Sequence, residues 1–154
     1  MSEVVIDRDP HVKAAEDGTV VVLPAPDELL IDIDYPPGSP EAGDAIERMI
    51  DVFTVLCRNG RLLYSIKYTT SPGGHLHAYV TLQPNKADNP NGPDGPVQAF
   101  PLPATLRVAL QAALGSDPVR EALSLIRILR GHESLGRVVT CFFETANAER
   151  REHP

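Results

Sequence analysis

The sequence has no apolar run that approaches the roughly 20 residues a transmembrane helix needs. Its opening stretch, MSEVVIDRDPHVK, has acidic residues early and no long apolar block, which is not the pattern of a secretory signal peptide. These two absences predict a cytoplasmic protein with no membrane partner.

Cysteine is scarce as well. Only Cys57 and Cys141 are present, and they form no CxxC pair. Each lies inside an apolar run, where a cysteine usually packs as a small hydrophobic side chain. The sequence therefore predicts neither a zinc site nor a disulfide framework.

Basic residues are outnumbered, with 14 Lys and Arg against 21 Asp and Glu and a formal net charge of −7. This balance counts against a protein that coats nucleic acid, because phosphate neutralisation needs clustered Lys and Arg. It is compatible with an enzyme that handles nucleotides through a metal ion, since the cation supplies positive charge locally.

The periodicity of the 154 residues predicts one α+β domain, flanked by an N-terminal arm (1–27) and a polar C-terminal tail (147–154). The arm is interrupted by prolines and contributes at most one edge strand. The domain itself, 28–146, has the order of an RRM-like or ferredoxin-like βαββαβ sandwich with a doubled second helix. Its elements are strands at 28–34, 61–70, 75–82 and 137–144, helices at 40–57, 104–114 and 118–130, and a mobile functional loop or disordered insert at 84–103.

Strand alternation places four chemically active side chains on one face of the sheet. Asp32 and Asp34 point away from the apolar side of the first strand, and His75 and His77 do the same on the third. In a βαββαβ sheet these strands are antiparallel neighbours, so both pairs are expected near one end of the open face. Paired aspartates offer oxygen ligands to Mg²⁺ or Mn²⁺, and an imidazole can bind a triphosphate or a softer cation.

Each pattern also has a simpler explanation. An Asp-x-Asp at a strand end is usually a solvated edge before a turn, and a His-x-His on an exposed face is usually surface. The predicted adjacency of the two pairs favours a site over these alternatives.

The segments ELLIDIDYPPG and SPGGHLHAYVTL, in this order, resemble the archaeo-eukaryotic primase superfamily. The likeness is greatest to the polymerase domain of bacterial ligase D and to phage primase-polymerase-like proteins, and it spans roughly residues 28–145. The family's Asp-x-Asp motif is matched by Asp32 and Asp34. Its second motif is matched by Ser71, Gly73, Gly74 and His77.

This resemblance implies that Asp32 and Asp34 are catalytic and hold Mg²⁺ or Mn²⁺. It implies that Ser71, Gly73, Gly74 and His77 bind the phosphates of a nucleoside triphosphate. Lys67, on the open face of the second strand, is predicted beside those phosphates, and His75 is predicted as an additional local metal ligand. Single-stranded DNA and a replication protein are the implied partners in DNA replication.

The family's third motif, another aspartate on a later strand, has no clear match. Glu144, at the end of CFFE, is the nearest candidate for a third metal ligand. However, a last strand antiparallel to the first places its end away from Asp34, so Glu144 reaches the site only with a shifted register. Arg120 and Arg127 share one face of the last helix, as a solvated row or as contacts for a template or partner.

Three functions compete. The first is a metal-dependent nucleotidyltransferase of primase-polymerase type, acting on nucleoside triphosphates and DNA. The second is a catalytically inactive relative that binds a nucleotide or a protein, which the missing third acid and the small size favour. The third, an HUH-type nicking endonuclease, also needs a nucleophilic tyrosine on a downstream helix. It is the least favoured, because all four tyrosines lie elsewhere: Tyr35, Tyr64, Tyr68 and Tyr79.

Overall fold

The computed structural model describes residues 8–96 and 101–154. Within these ranges the protein is α+β, with four α-helices and two small antiparallel sheets, which confirms the α+β part of the predicted fold class. No helix of the described ranges is long and apolar enough to cross a bilayer. The elements in chain order are α1 (Pro10–Asp17), β1 (Val20–Val22), β2 (Glu28–Ile33), α2 (Pro40–Gly60), β3 (Leu62–Thr70), β4 (Leu76–Pro84), a 3₁₀ turn (Lys86–Asp88), α3 (Ala104–Ala113), α4 (Pro118–Leu129) and β5 (Phe142–Glu144).

The larger sheet has the strand order β2-β4-β3, with both pairs antiparallel. The first and third predicted strands are therefore neighbours, as expected. One face of this sheet packs against α2, which begins at the side-chain cap of Ser39 and has Pro40 in its first turn. The main core between them contains apolar residues that alternate along the strands and recur at helical spacing, among them Leu29, Ile31, Ile33, Met49, Phe53, Leu76, Ala78, Val80 and Leu82.

The predicted N-terminal arm contains a helix that the sequence interpretation missed. Pro10 was interpreted as an interruption, but it occupies the first turn of α1, where proline is tolerated because its missing N–H has no helical partner. The Asp9 side chain caps this helix by accepting a hydrogen bond from the His11 amide, and Gly18 ends it in the left-handed region at φ 71°.

The last strand differs from the prediction. β5 is only three residues long and pairs with β1, at the register Val20↔Glu144, instead of joining the larger sheet. The reason is that the outer edge of β2 is already covered by polar groups from the α3–α4 region. The amides of Leu30 and Asp32 donate to Gln111 Oε1 and Ser116 Oγ, each at 2.9 Å.

The carbonyls on the same edge are also bound. Leu30 O accepts from the Arg120 guanidinium at 2.9 Å, and Asp32 O accepts from the Asp117 amide at 2.9 Å. Since these backbone groups have partners, the edge of β2 offers no hydrogen bonds to a fourth strand.

The predicted loop at 84–103 is partly structured. It begins with the 3₁₀ turn at Lys86–Asp88, and Leu102 packs into the main core. Residues 97–100 of this prediction lie outside the described residues. The polar tail is attached to the sheet, because the amides and carbonyls of Tyr68 and Arg151 exchange hydrogen bonds of 2.7 and 2.8 Å.

Candidate functional site

The site lies on the face of the larger sheet opposite α2. Asp32 on β2 pairs with His77 on β4, so the two side chains lie side by side, as strand alternation predicted. The His77 Nε2 atom is 3.8 Å from Asp32 Oδ1, which is close enough for electrostatic attraction and too long for a hydrogen bond.

Glu144 holds the other side of the His77 ring. Its Oε1 lies 2.6 Å from His77 Nδ1, and its Oε2 accepts hydrogen bonds from the Tyr79 hydroxyl at 2.6 Å and from the Thr69 hydroxyl. The Glu144 side chain is almost fully buried, at 2% exposure. The expectation that the end of the last strand lies away from the site was wrong, because β5 pairs with β1 and not with the larger sheet.

Burial raises the pKa of Glu144, but the hydrogen bonds from His77, Thr69 and Tyr79 outweigh it, so the pKa lies below its ordinary value. Glu144 is therefore a carboxylate at neutral pH and accepts at every contact. It follows that His77 carries a proton on Nδ1, and that Nε2 is the nitrogen directed toward Asp32.

The predicted open face is covered at this point. The Phe142 ring stacks on the His77 imidazole, with ring centroids 3.8 Å apart and planes within 4°. The same ring packs against Leu30 and Tyr79 in a second small core. His77 is therefore only 7% exposed, and stacking and hydrogen bonding together fix the orientation of its ring.

Burial also raises the pKa of Asp32, with partial compensation by the positive charges of His77 and Arg120. A carboxyl group whose pKa is displaced in a cleft marks a candidate functional site. The raised pKa agrees with the position of Asp32 at the edge of the buried region.

Asp34 and His75 form a second, more exposed pair. Asp34 Oδ1 lies 2.8 Å from His75 Nδ1, and Asp34 is 58% exposed. Strand pairing places Asp32 beside His77, whereas Asp34 and His75 lie just beyond the ends of β2 and β4. The four predicted side chains form two separate acid–imidazole pairs, so His75 and His77 do not converge on a common point.

The glycine-rich turn shapes the entrance beside these pairs. Ser71 Oγ accepts a hydrogen bond from the His75 amide at 3.0 Å, and the Gly74 amide donates to Ser71 O at 2.9 Å. Gly74 has φ 84°, a left-handed conformation that favours glycine. The motif therefore fixes the path of the chain between β3 and β4.

A cavity of about 870 Å³ opens from this site, a volume within the range of small-molecule sites. Of the predicted residues, it is lined by Asp32, Ser71, Gly73 and His77. The other predicted residues, Asp34, Lys67, Gly74, His75 and Glu144, are not in its lining. Lys67 is exposed two residues before Thr69 on the same face, and Glu144 lies behind the His77 ring.

Sequence reasoning missed several residues of the site. Thr69 and Tyr79 bind Glu144, and Lys13 and Arg8 line the cavity from the N-terminal segment. Strand alternation would have found Thr69, because it follows Ser65 and Lys67 on the same face. No local pattern indicates that α1 reaches the cavity.

The residues fit a magnesium-type cation better than a zinc-type one. Among residues 8–96 and 101–154, no group of three or more His, Cys, Asp or Glu is arranged to hold a metal ion. Asp32 and Glu144 lie near different nitrogens of one imidazole, so the ring separates the two carboxylates. Mg²⁺ at nucleotide sites usually takes only one or two carboxylates, together with substrate phosphates and water. Of the two predicted aspartates, Asp32 lines the cavity and could supply one such carboxylate, whereas Asp34 lies outside the lining and is paired with His75.

Comparison with models of protein families, with curated proteins and with solved structures found no match to this chain. The primase resemblance therefore stays a prediction based on its short motifs.

Proposed function

We propose that this protein is a metal-dependent nucleotidyltransferase of primase-polymerase type, acting on nucleoside triphosphates and DNA in the cytoplasm. The observation that carries the proposal is the placement of Asp32 and His77, side by side, in the wall of a cavity of about 870 Å³. The βαββ unit from β2 to β4 supports an RRM-like core, since β2 and β4 are antiparallel neighbours.

In this proposal Asp32 and Asp34 supply the oxygen ligands of Mg²⁺ or Mn²⁺. The bound cation would promote attack by a 3′ hydroxyl and neutralise the leaving diphosphate. Ser71, Gly73 and His77 line the cavity and would orient the triphosphate. Gly74 follows Gly73 directly, and Lys67 lies outside the lining.

Glu144 takes a different part from the third metal ligand that the sequence indicated. It is buried behind His77 and accepts three hydrogen bonds, so it lies away from the cavity. Its carboxylate holds a proton on Nδ1 of the imidazole, which directs Nε2 toward the cavity side. We assign Glu144 as a positioning residue for His77.

A primer-extension assay tests the proposal. The purified protein is incubated with Mn²⁺, labelled nucleoside triphosphates and single-stranded DNA, with and without a primer. We expect labelled products that disappear in Asp32→Asn/Asp34→Asn. Asp44→Asn/Asp51→Asn, which neutralises two exposed acids of α2, is the matched control and should remain active. Products that persist in Asp32→Asn/Asp34→Asn would refute the assignment.

A second candidate is a catalytically inactive relative that binds a nucleotide or a replication protein. It is favoured by the absence, among the described residues, of a three-member metal-binding group. In this case a fluorescent nucleotide binds the wild-type protein, His77→Ala weakens the binding, and no product forms under any condition above.

The nicking-endonuclease alternative requires His75 and His77 to bind one metal ion together. It gains no support from the structure, because His75 is paired with Asp34 and His77 with Glu144.

A further inference from the structure

The cavity extends beyond Asp32 and His77, along α4 and the N-terminal segment. Arg120, near Asp32, and Arg127 both line it from α4. Arg127 lies seven residues further along the helix, about 10 Å from Arg120. Lys13 and Thr19 line the cavity from α1 and the turn that follows it. This part of the cavity, between α4 and residues 13–19, plays no role in the function proposed above.

Two buried hydroxyls in this region lack hydrogen-bond partners. Thr19 Oγ1 and Ser124 Oγ are closed to solvent, and neither has a partner among the described residues. Both residues line the same cavity. Buried hydroxyls are nearly always hydrogen-bonded, so two unsatisfied hydroxyls beside one cavity indicate a polar ligand.

Arg127 has donors to spare. Its guanidinium donates one hydrogen bond within the described residues, to the Val139 carbonyl at 3.3 Å. Among these residues it forms no ion pair with a carboxylate. The other cations of the cavity are neutralised nearby, Arg120 by Glu121 at 2.6 Å and Lys13 by Asp17 at 2.9 Å. Arg8 is likewise paired, with Glu16. A guanidinium has five N–H donors, so most of those on Arg127 are available to a ligand.

The chemistry of these groups selects an oxyanion. A planar guanidinium donates two parallel hydrogen bonds to a phosphate, and hydroxyl donors complete its coordination. Of the acids in the lining, Asp17 is offset by its ion pair with Lys13, and Asp32 lies beside His77. We propose that Arg127, Ser124 and Thr19 form a phosphate-binding subsite between α4 and the N-terminal segment, separate from Asp32 and His77. The ligand is a phosphate group, carried by a free nucleotide or by the 5′ end of an oligonucleotide.

Calorimetric titration with inorganic diphosphate, without divalent metal, tests the subsite. We expect Arg127→Gln to weaken binding about tenfold or more and Ser124→Ala about threefold, as the loss of charged and neutral hydrogen bonds implies. Arg48→Gln, which removes an equal charge from the exposed face of α2, should bind like the wild type. Equal affinity in Arg127→Gln and wild type, or no binding to wild type at millimolar diphosphate, overturns the proposal.

Thermal unfolding separates a ligand-binding role of Ser124 from a packing defect. Because its hydroxyl has no partner, Ser124→Ala should leave the melting temperature unchanged or raise it. If the melting temperature rises and the diphosphate affinity stays at the wild-type value, the hydroxyl is a packing defect and the subsite is wrong.

The source of the phosphate is decided with two further ligands, ATP and a short 5′-phosphorylated oligonucleotide. The one whose affinity falls in Arg127→Gln occupies the subsite, and if neither falls the proposal fails. These titrations need no catalysis and no metal, so their failure leaves the proposed nucleotidyltransferase function untouched. Likewise, a negative result in the primer-extension assay leaves the phosphate-binding subsite untouched.

Discussion

Replacing Glu144 by glutamine tests how the buried part of the site is held together. The substitution keeps the shape of the side chain and removes its charge. In the wild type the carboxylate accepts from Thr69, Tyr79 and His77 while it is almost completely enclosed. After Glu144→Gln, the amide oxygen still accepts from the two hydroxyls. The amide N–H₂ group then faces His77 Nδ1, whose proton needs an acceptor.

The size of the effect follows from these three contacts. A hydrogen bond to a charged group contributes about 1.5–3 kcal/mol, and a neutral one about 0.5–1.5 kcal/mol. Two contacts change from charged to neutral and the third must be rearranged, at roughly 1 kcal/mol for each. We therefore expect the free energy of unfolding to fall by about 3 kcal/mol. We also expect the proton of His77 to move from Nδ1 to Nε2, so that Nδ1 accepts from the amide.

Urea denaturation measures the first quantity, and ¹⁵N NMR of the histidine rings reports the second. Glu149→Gln is the matched control, because Glu149 is exposed and should change neither result. An unchanged free energy of unfolding in Glu144→Gln, with His77 still protonated at Nδ1, would show that Glu144 does not bind the imidazole in solution.

Three other expectations concern stability. Phe53→Ala removes a fully buried ring of the main core and should lower the free energy of unfolding by about 3–5 kcal/mol in urea denaturation. Gln111→Ala leaves the Leu30 amide without its acceptor, and hydrogen exchange of that amide should accelerate, whereas equal exchange would contradict the Leu30–Gln111 hydrogen bond. Because the pKa of Glu144 lies below its ordinary 4.5, the unfolded chain binds that proton first. Its stabilisation is complete above about pH 4.5 and is lost as the pH falls through the folded pKa, a loss that Glu144→Gln should remove from the pH–stability curve.

The sequence was informative wherever the signal is local. Alternation along β2 and β4 places Asp32 and His77 on one face, because successive strand residues point to opposite sides. Helical spacing from Ile46 to Leu56 similarly predicted the packing of α2 on the other face. The adjacency of β2 and β4 needed only the usual preference of a βαββ unit.

One local signal was present and was misinterpreted. Asp9 followed by Pro10, with Gly18 eight residues later, is a helix start and stop of the usual kind. The prolines of the arm were interpreted as interruptions, although a first-turn proline favours a helix. α1 was therefore predictable from the sequence, but its position against the cavity was not.

The position of β5 lay outside what local patterns contain. Its pairing depends on whether the outer edge of β2 is free. That edge is covered by Gln111, Ser116 and Arg120, which belong to one segment far from β2 in the sequence. Polar side chains at buried positions, such as Gln111 and Ser116, are the trace of this arrangement in the sequence. Strand pairing between remote segments is decided by such competition for backbone hydrogen bonds.

The same competition explains how a third acid reaches the site. Since the edge of β2 is closed to a fourth strand, β5 pairs with β1 and crosses the sheet on the side of His77. Glu144 therefore approaches the imidazole from behind, through Nδ1, while Asp32 lies beside Nε2. A carboxylate in that position orients the ring and has no access to the cavity. The N-terminal segment thus has a structural part in the site, because β1 holds the strand that carries Glu144.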